Sequence, residues 1–130
     1  MNVKITKGIK ITVSTKYRDD LTRLDIGLYF FNYSIKIENH NTRKVQLLSR
    51  HWKIVDSLSA TRIIEGEGVI GEKPVLNTGE TFTYTSGCDL NSPLGYMEGY
   101  FLFKTVDDSD EEILKVEVPK FLLEYNGKLN

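Results

Sequence analysis

Hydrophobic and polar residues alternate along much of the chain. In the segment IKITVSTKY, which starts at residue 9, the residues Ile9, Ile11 and Val13 share one face, and lysine, threonine and serine residues take the other. The segment YFFNYSIKIE repeats this pattern, with Phe31 and Tyr33 on its apolar face. Such alternation predicts β-strands that have one buried and one exposed face.

A third segment, KVQLLSRHWKIVD, contains a change of phase. Val45 and Leu47 are in phase with each other, and the apolar positions then continue as Leu48, Trp52 and Ile54. A phase change of this kind indicates a β-bulge or a bend in the strand.

The remaining segments complete an all-β pattern. Four more strand candidates are TRIIEGEGV, ETFTYTSG, GYMEGYFLFKTV and EEILKVEVP, and only YRDDLTRL allows a helical turn. We expect two longer connections, at RDDLTRLDIG and SGCDLNSPLG. About seven short strands with regular turns predict an immunoglobulin-like antiparallel β-sandwich, with residues 1–130 as a single domain. We expect its core to contain Phe31, Tyr33, Trp52, Phe101 and Val116.

Charge and composition argue against several classes of protein. The 130 residues carry a net charge of −1, so there is no basic surplus for phosphates, and no nucleic-acid partner is expected. Cys88 is the only cysteine, which rules out an intrachain disulfide and favours a reducing compartment. Neither a signal peptide nor an apolar stretch long enough to span a membrane is found. We therefore expect a cytoplasmic protein without a membrane partner.

The stretch GEGVIG, Gly66 to Gly71, matches the glycine pattern of dinucleotide-binding loops. Such loops need a helix at their end, because its N-terminus holds the pyrophosphate. Here Pro74 and Gly79 leave no room for that helix. The glycines, with Gly68 between them, are better explained by a bent or bulged strand followed by a tight turn. Nucleotide or pyrophosphate binding at this stretch is kept as the alternative.

Candidate catalytic and metal-binding groups are few. His40 lies in the polar turn ENHNTR, and His51 is expected on the strand face opposite Trp52. Cys88 could pair with His51 only through the fold, and an inert buried thiol is the favoured interpretation. The acidic run DDSDEE lacks the glycine and glutamate positions of a calcium loop. We predict no catalytic residue, no metal site and no cofactor.

Aromatic residues flank a stretch rich in glycine and serine. The segments YTSG and SGCDLNSPLGYM are expected to form a loop bordered by Tyr84, Tyr96 and Tyr100, and Ser86 lies within it. Aromatic side chains beside small polar ones are common at recognition surfaces. The alternative is that these tyrosines complete the core.

Several blocks of the sequence together resemble the ApaG-domain family, over nearly the whole chain. They are RHW (Arg50 to Trp52), GEGVIG with Pro74 after it, PVLNTGE, YTSG and SPLGYMEGYF. The family often has proline where this chain has Thr78, and both residues suit a turn. The resemblance implies a fold like that of fibronectin type III domains.

The resemblance also bears on function. Bacterial members are small stand-alone proteins, often encoded beside a diadenosine tetraphosphate hydrolase, and their name has been attached to cobalt and magnesium efflux. In eukaryotic relatives the domain resembles a protein-interaction module within larger proteins.

Two hypotheses about function follow. The preferred one is a non-enzymatic protein-interaction module with an unidentified protein partner, and a homodimer is left open. The alternative is a binding protein or hydrolase for a phosphorylated small molecule, acting through Gly66–Gly71. The candidate ligand- or partner-binding residues are Gly66, Gly68, Gly71, His51, Tyr84 and Ser86.

Overall fold

The computed structural model describes residues 2–125, which form two antiparallel β-sheets packed as a sandwich. The strands, numbered in chain order, are β1 (Asn2–Thr6), β2 (Ile9–Tyr17), β3 (Tyr29–Asn39), β4 (Val45–Asp56), β5 (Arg62–Glu67), β6 (Val75–Leu76), β7 (Thr81–Leu90), β8 (Leu94–Thr105) and β9 (Ile113–Glu124). Two single-turn 3-10 helices, Asp19–Leu21 and Leu24–Ile26, lie between β2 and β3. The predicted antiparallel sandwich is confirmed. Within residues 2–125, no helix is long and apolar enough to cross a membrane.

The core lies between the two sheets. The first sheet has the strand order β1-β2-β3-β7 and the second β5-β4-β8-β9, with the short β6 also pairing with β4. Alternate side chains of every long strand point into this space, as period-two patterns require. The residues predicted for the core are all buried there: Phe31, Tyr33, Trp52, Phe101 and Val116.

The described residues contain two more strands than the seven segments that the sequence pattern indicated. Lys7 and Gly8 both have positive φ, 51° and 78°, and form a two-residue turn that joins the additional strand β1 to β2 in a hairpin. Paired positive φ values match the twist of adjacent strands, which makes such turns suited to hairpins. The other additional strand, β6, is only 2 residues long, too short to leave a period in the sequence.

The predicted bulge in β4 is confirmed. Pairing with β8 jumps from Leu47 to Ser49, so Leu48 has no partner in that register. The extra residue reverses which positions face inward: Leu47 is buried before the bulge, and Trp52 and Ile54 are buried after it. Arg50 shares the inward direction of Trp52, because the two residues are separated by an even number of positions.

The prediction of a long loop at SGCDLNSPLG is wrong. Strand β7 continues to Leu90 and β8 begins at Leu94, so only residues 91–93 connect them. Ser86 and Gly87 lie inside β7, where they pair with Tyr33 and Asn32 of β3. Gly87 here serves close packing, since a side chain at that position would collide with a ring on the neighbouring strand. Small polar residues in a strand can therefore resemble a loop in sequence.

The acidic run between β8 and β9 has a structural role. Arg43 donates two hydrogen bonds to the Asp107 carboxylate, from Nε to Oδ2 and from Nη2 to Oδ1, both at 2.8 Å. The backbone N–H of Ser109 also donates to Asp107, at 3.0 Å. These hydrogen bonds, first of all those from Arg43, lower the pKa of Asp107 to about 2. The run ties the β8–β9 connection to the turn that precedes β4.

Candidate functional site

The two long sides of the sandwich differ. On one side β1 lies beside β9, where Asn2 Nδ2 donates to the Lys120 carbonyl at 2.9 Å and the Glu117 N–H donates to Thr6 Oγ1 at 3.2 Å. On the other side β5 and β7 are the edge strands of their sheets. A cleft of about 190 Å³ lies between these two edges. We call this the open side, and its cleft is lined by side chains that include Tyr33, Arg50, Trp52, Arg62, Ser86 and Cys88.

Arg50 reaches the open side because of the bulge in β4. Its Nη1 donates to the backbone carbonyls of Glu67 and Gly68, both at 3.0 Å. Arg50 pairs directly with Gly66 of β5 in the strand register. A β-carbon on residue 66 would lie only 2.9 Å from Nη1. Gly66 therefore provides the space in which the guanidinium lies.

The other two glycines of the motif shape the backbone that accepts these hydrogen bonds. Gly68 and Gly71 have φ values of +63° and +78°, in the left-handed region that glycine adopts readily. Together with Ile70, at φ 44°, Gly71 forms a tight turn closed by two hydrogen bonds between Val69 and Glu72, at 2.8 and 2.9 Å. The predicted bent strand followed by a tight turn is confirmed.

The stretch does not have the geometry of a phosphate-binding loop. The N–H of Gly68 donates to the Leu48 carbonyl at 2.8 Å, and that of Val69 donates to the Glu72 carbonyl at 2.8 Å. The next regular element is β6, at Val75–Leu76, and not a helix. A phosphate cradle needs free N–H groups directed at the ligand, usually from a helix N-terminus. These two N–H groups are already used within the protein.

At the other end of the cleft Arg62 holds the end of β7. Its guanidinium donates to the Asp89 backbone carbonyl and lies 3.4 Å from the Asp89 carboxylate. It also lies 3.8 Å from the Cys88 sulfur. Burial raises the pKa of the Cys88 thiol to about 11, although the charge of Arg62 opposes the rise. A thiol with this pKa is protonated at neutral pH and is a poor nucleophile.

Tyr84 and Ser86 share the inward face of β7, but Tyr84 is buried. Its side chain is 5% exposed, and its hydroxyl has no hydrogen-bond partner in the described part of the chain. Burial raises the pKa of this phenol, while the charge of Arg50 acts in the opposite direction. Tyr84 thus belongs to the core, as the alternative interpretation held, and presents little surface to a partner. Ser86 is half-buried and lines the cleft.

His51 lies apart from these residues, on the outer face of β4. Its ring stacks on Tyr100 with a centroid distance of 4.7 Å, and its Nδ1 lies 3.3 Å from a Glu65 carboxylate oxygen. Trp52 points into the core, as predicted, so the sheet separates His51 from the cleft that Cys88 lines. The hypothetical His51–Cys88 pair is not formed. Within residues 2–125, no group of three or more His, Cys, Asp or Glu side chains is placed to hold a metal ion.

The fold thus brings four of the six predicted site residues near Arg50: Gly66, Gly68, Tyr84 and Ser86. Gly71 lies in the adjoining turn, and His51 is on the opposite face of the sheet. The sequence-based prediction missed Arg50 and Arg62 as site residues. The phase change at Leu47–Leu48 was the available signal for Arg50, because it turns that side chain inward with Trp52.

Comparison with known proteins agrees with this description. A family model described as the ApaG domain matches residues 21–105. Protein ApaG of Methylobacterium sp. (strain 4-46) is 43% identical over 119 residues, which cover 92% of this chain and 89% of that protein. Protein ApaG of Methylobacterium radiotolerans is 41% identical with the same coverage.

Solved structures give the same result. A crystal structure named "Putative ApaA Protein", from Bordetella pertussis, aligns with a TM-score of 0.83 and 32% identity, covering 92% of this chain and 95% of that one. The family model spans more than half of the sequence, and the relatives are similar over almost their full lengths. The chain belongs to the ApaG domain family.

Proposed function

We propose that this protein is a non-enzymatic protein-binding module whose docking surface is the open side of the sandwich. The observation that carries the proposal is the edge strand β5, which among residues 2–125 pairs only with β4, so that no described strand covers its outer edge. Two consecutive hydrophobic residues on this edge are exposed, Ile63 at 54% and Ile64 at 40%. An unpaired edge with apolar side chains is a template for an added strand.

The chemistry around the cleft supports binding rather than catalysis. Cys88 is held as a neutral thiol, and His51 lies on the far side of the sheet. Nucleophilic catalysis needs a nucleophile and a base within hydrogen-bonding reach of each other. The alternative, a phosphorylated ligand bound by Gly66–Gly71, has less support, because N–H groups of that stretch bond to the protein itself.

A cytoplasmic location is part of this proposal. The single cysteine fits a reducing compartment, and the partner is then another cytoplasmic protein. A second copy of the chain is the competing partner, since an unpaired edge strand can also pair with its own counterpart. Analytical ultracentrifugation over a wide range of protein concentrations tests this: self-association that Ile63→Lys abolishes would replace the proposed partner by a homodimer.

The proposal is tested by comparing partner capture by matched variants. Ile63→Lys places a charge on the β5 edge, a device by which proteins prevent strand addition. Leu122→Lys is the control, since Leu122 is also 54% exposed but lies on β9, at the other edge of the same sheet. Both side chains are exposed, so we expect each substitution to change stability by less than about 1 kcal/mol.

Immobilised wild-type protein and both variants are incubated with an extract of the source organism, and bound proteins are quantified by mass spectrometry. We expect a partner that wild type and Leu122→Lys retain to a similar extent and that Ile63→Lys loses. Equal capture by all three proteins would contradict the use of this edge. Saturable turnover of a phosphorylated substrate by the purified protein would contradict the non-enzymatic part of the proposal.

A further inference from the structure

Among the described residues, Arg50 is a charged group of the open side that has no acidic side chain beside it. Two neighbouring acidic side chains each have a basic partner: Glu67 Oε1 lies 3.5 Å from Lys73 Nζ, and Asp89 Oδ1 lies 3.4 Å from Arg62 Nη1. Glu65 lies on the outer face of the sheet, with its Oε1 3.3 Å from Nδ1 of His51, a side chain that is charged only when it is protonated. Within residues 2–125, no carboxylate lies within 4.0 Å of the Arg50 guanidinium.

The guanidinium also has unused hydrogen-bond donors. Both of its hydrogen bonds are made by Nη1, to backbone carbonyls, and within residues 2–125 neither Nε nor Nη2 has an acceptor. Arginine prefers to bind carboxylates with two parallel N–H donors, and this arrangement leaves such a pair available. The side chain is fixed by its two carbonyl contacts, so it is held in place before any ligand binds.

Gly66 gives access to Arg50 from the free edge. Arg50 belongs to β4, one strand inward, and β5 would normally cover it with a side chain at the paired position. At the next inward-facing pair, the Ile64 side chain of β5 lies at the edge of the sheet beside Trp52 of β4. At Gly66 there is no side chain, and the guanidinium occupies the space that a β-carbon would need. A residue on a strand added to β5 can therefore reach the guanidinium across Gly66.

We propose that the open side binds an extended segment of a partner protein that carries a carboxylate, held by Arg50 at the position opposite Gly66. This inference rests on the proposed function and specifies the partner's chemistry. Residues directly opposite on paired strands have their β-carbons about 5 Å apart, a span that a glutamate side chain bridges. Its neighbours two positions away would lie on the same face as Ile64, so an apolar residue at those positions completes the recognition sequence.

Two synthetic peptides test the inference. One is acetylated and amidated Thr-Val-Thr-Glu-Thr-Val-Thr, and the other has glutamine in place of the glutamate. Binding to isotope-labelled full-length protein is followed by NMR, using the backbone amides of β5 and the Arg50 Nε–H signal. We expect the glutamate peptide to bind about tenfold or more tightly than the glutamine peptide, because hydrogen bonds to charged groups are the stronger ones. This preference should diminish in high salt.

Matched variants assign the preference to Arg50. Arg50→Gln should reduce the ratio of the two affinities to about one. Lys53→Gln removes one positive charge from the exposed outer face of the same strand and should leave the ratio unchanged. Because each ratio is measured within one protein, a general loss of stability in Arg50→Gln does not imitate the result. Thermal unfolding of each variant confirms that it is folded.

Three results with the peptides would overturn the inference. They are equal binding of the two peptides by wild type, no saturable binding of either up to about 5 mM, and a preference that persists in Arg50→Gln. Inorganic phosphate that binds at Arg50 more tightly than the glutamate peptide would assign the site to a small anion and also overturn it. If wild type captures a partner through β5 while the peptides bind equally, the proposed function stands and only this inference fails.

Discussion

Replacing Gly68 by alanine tests whether the glycines of GEGVIG serve the backbone. The φ of Gly68 is +63°, a left-handed conformation that costs an ordinary residue about 1–2 kcal/mol. A methyl group at this position would also collide with the Glu72 backbone carbonyl. That carbonyl accepts the hydrogen bond from Val69 that helps to close the following turn. The turn would therefore have to open to make room.

The magnitude follows from these two effects. The loss of the closing hydrogen bonds adds about 1–2 kcal/mol to the conformational cost, so Gly68→Ala should lower the free energy of unfolding by about 2–4 kcal/mol in total. Gly71→Ala is the matched control: its φ is +78°, but a β-carbon there would meet no atom of the described residues within 4 Å. It should show the conformational effect alone, about 1–2 kcal/mol.

Urea denaturation of wild type and both variants measures the difference in the free energy of unfolding. Unchanged slopes of that free energy against urea concentration would show that the same surface is exposed on unfolding. Thermal midpoints should fall by about 4 °C for each kcal/mol lost. A loss in Gly68→Ala no larger than that in Gly71→Ala would refute the reasoning. Saturable ATP binding by wild type, tighter than about 100 μM and absent from a folded Gly68→Ala protein, would favour the nucleotide alternative instead.

Three further predictions concern stability. Ile70 is a β-branched residue at φ 44° with an exposed side chain, and asparagine tolerates this conformation better. Ile70→Asn should therefore raise the free energy of unfolding, measured in urea titrations, by about 1 kcal/mol. A lower free energy of unfolding would show that Ile70 makes a stabilising contact. Asp107 has a folded pKa of about 2, below its unfolded value of about 3.9, so its contribution is complete above about pH 4 and disappears as the pH falls towards 2. Asp107→Asn should flatten the decline of stability over that range, and an unchanged pH profile would contradict this assignment. Tyr84→Phe should leave the free energy of unfolding within about 0.5 kcal/mol of wild type or raise it, because the buried hydroxyl it removes has no partner among residues 2–125. A loss well above about 0.5 kcal/mol in chemical denaturation would contradict this explanation.

The sequence alone determined the features that depend on neighbouring residues along the chain. Alternation placed Phe31 and Tyr33 on a buried face, because successive side chains of a strand point in opposite directions. The phase change at Leu47–Leu48 predicted the bulge, since one extra residue reverses that alternation. The glycine stretch followed by Pro74 indicated a turn rather than a helix, because glycine and proline act on the backbone where they stand.

Only the tertiary structure decided what surrounds each face. Arg50, Gly66 and Ser86 come from three strands and both sheets, and alternation shows that a side chain points inward without showing what it meets there. Ser86 and Gly87 resembled a loop, because small residues weaken the strand pattern that pairing with β3 nevertheless imposes. Only the structure showed that a sheet separates His51 from Cys88, so that the two side chains do not form a pair. Strand pairing and sheet packing join residues distant in sequence, so the open side and its unbalanced arginine are properties of the fold.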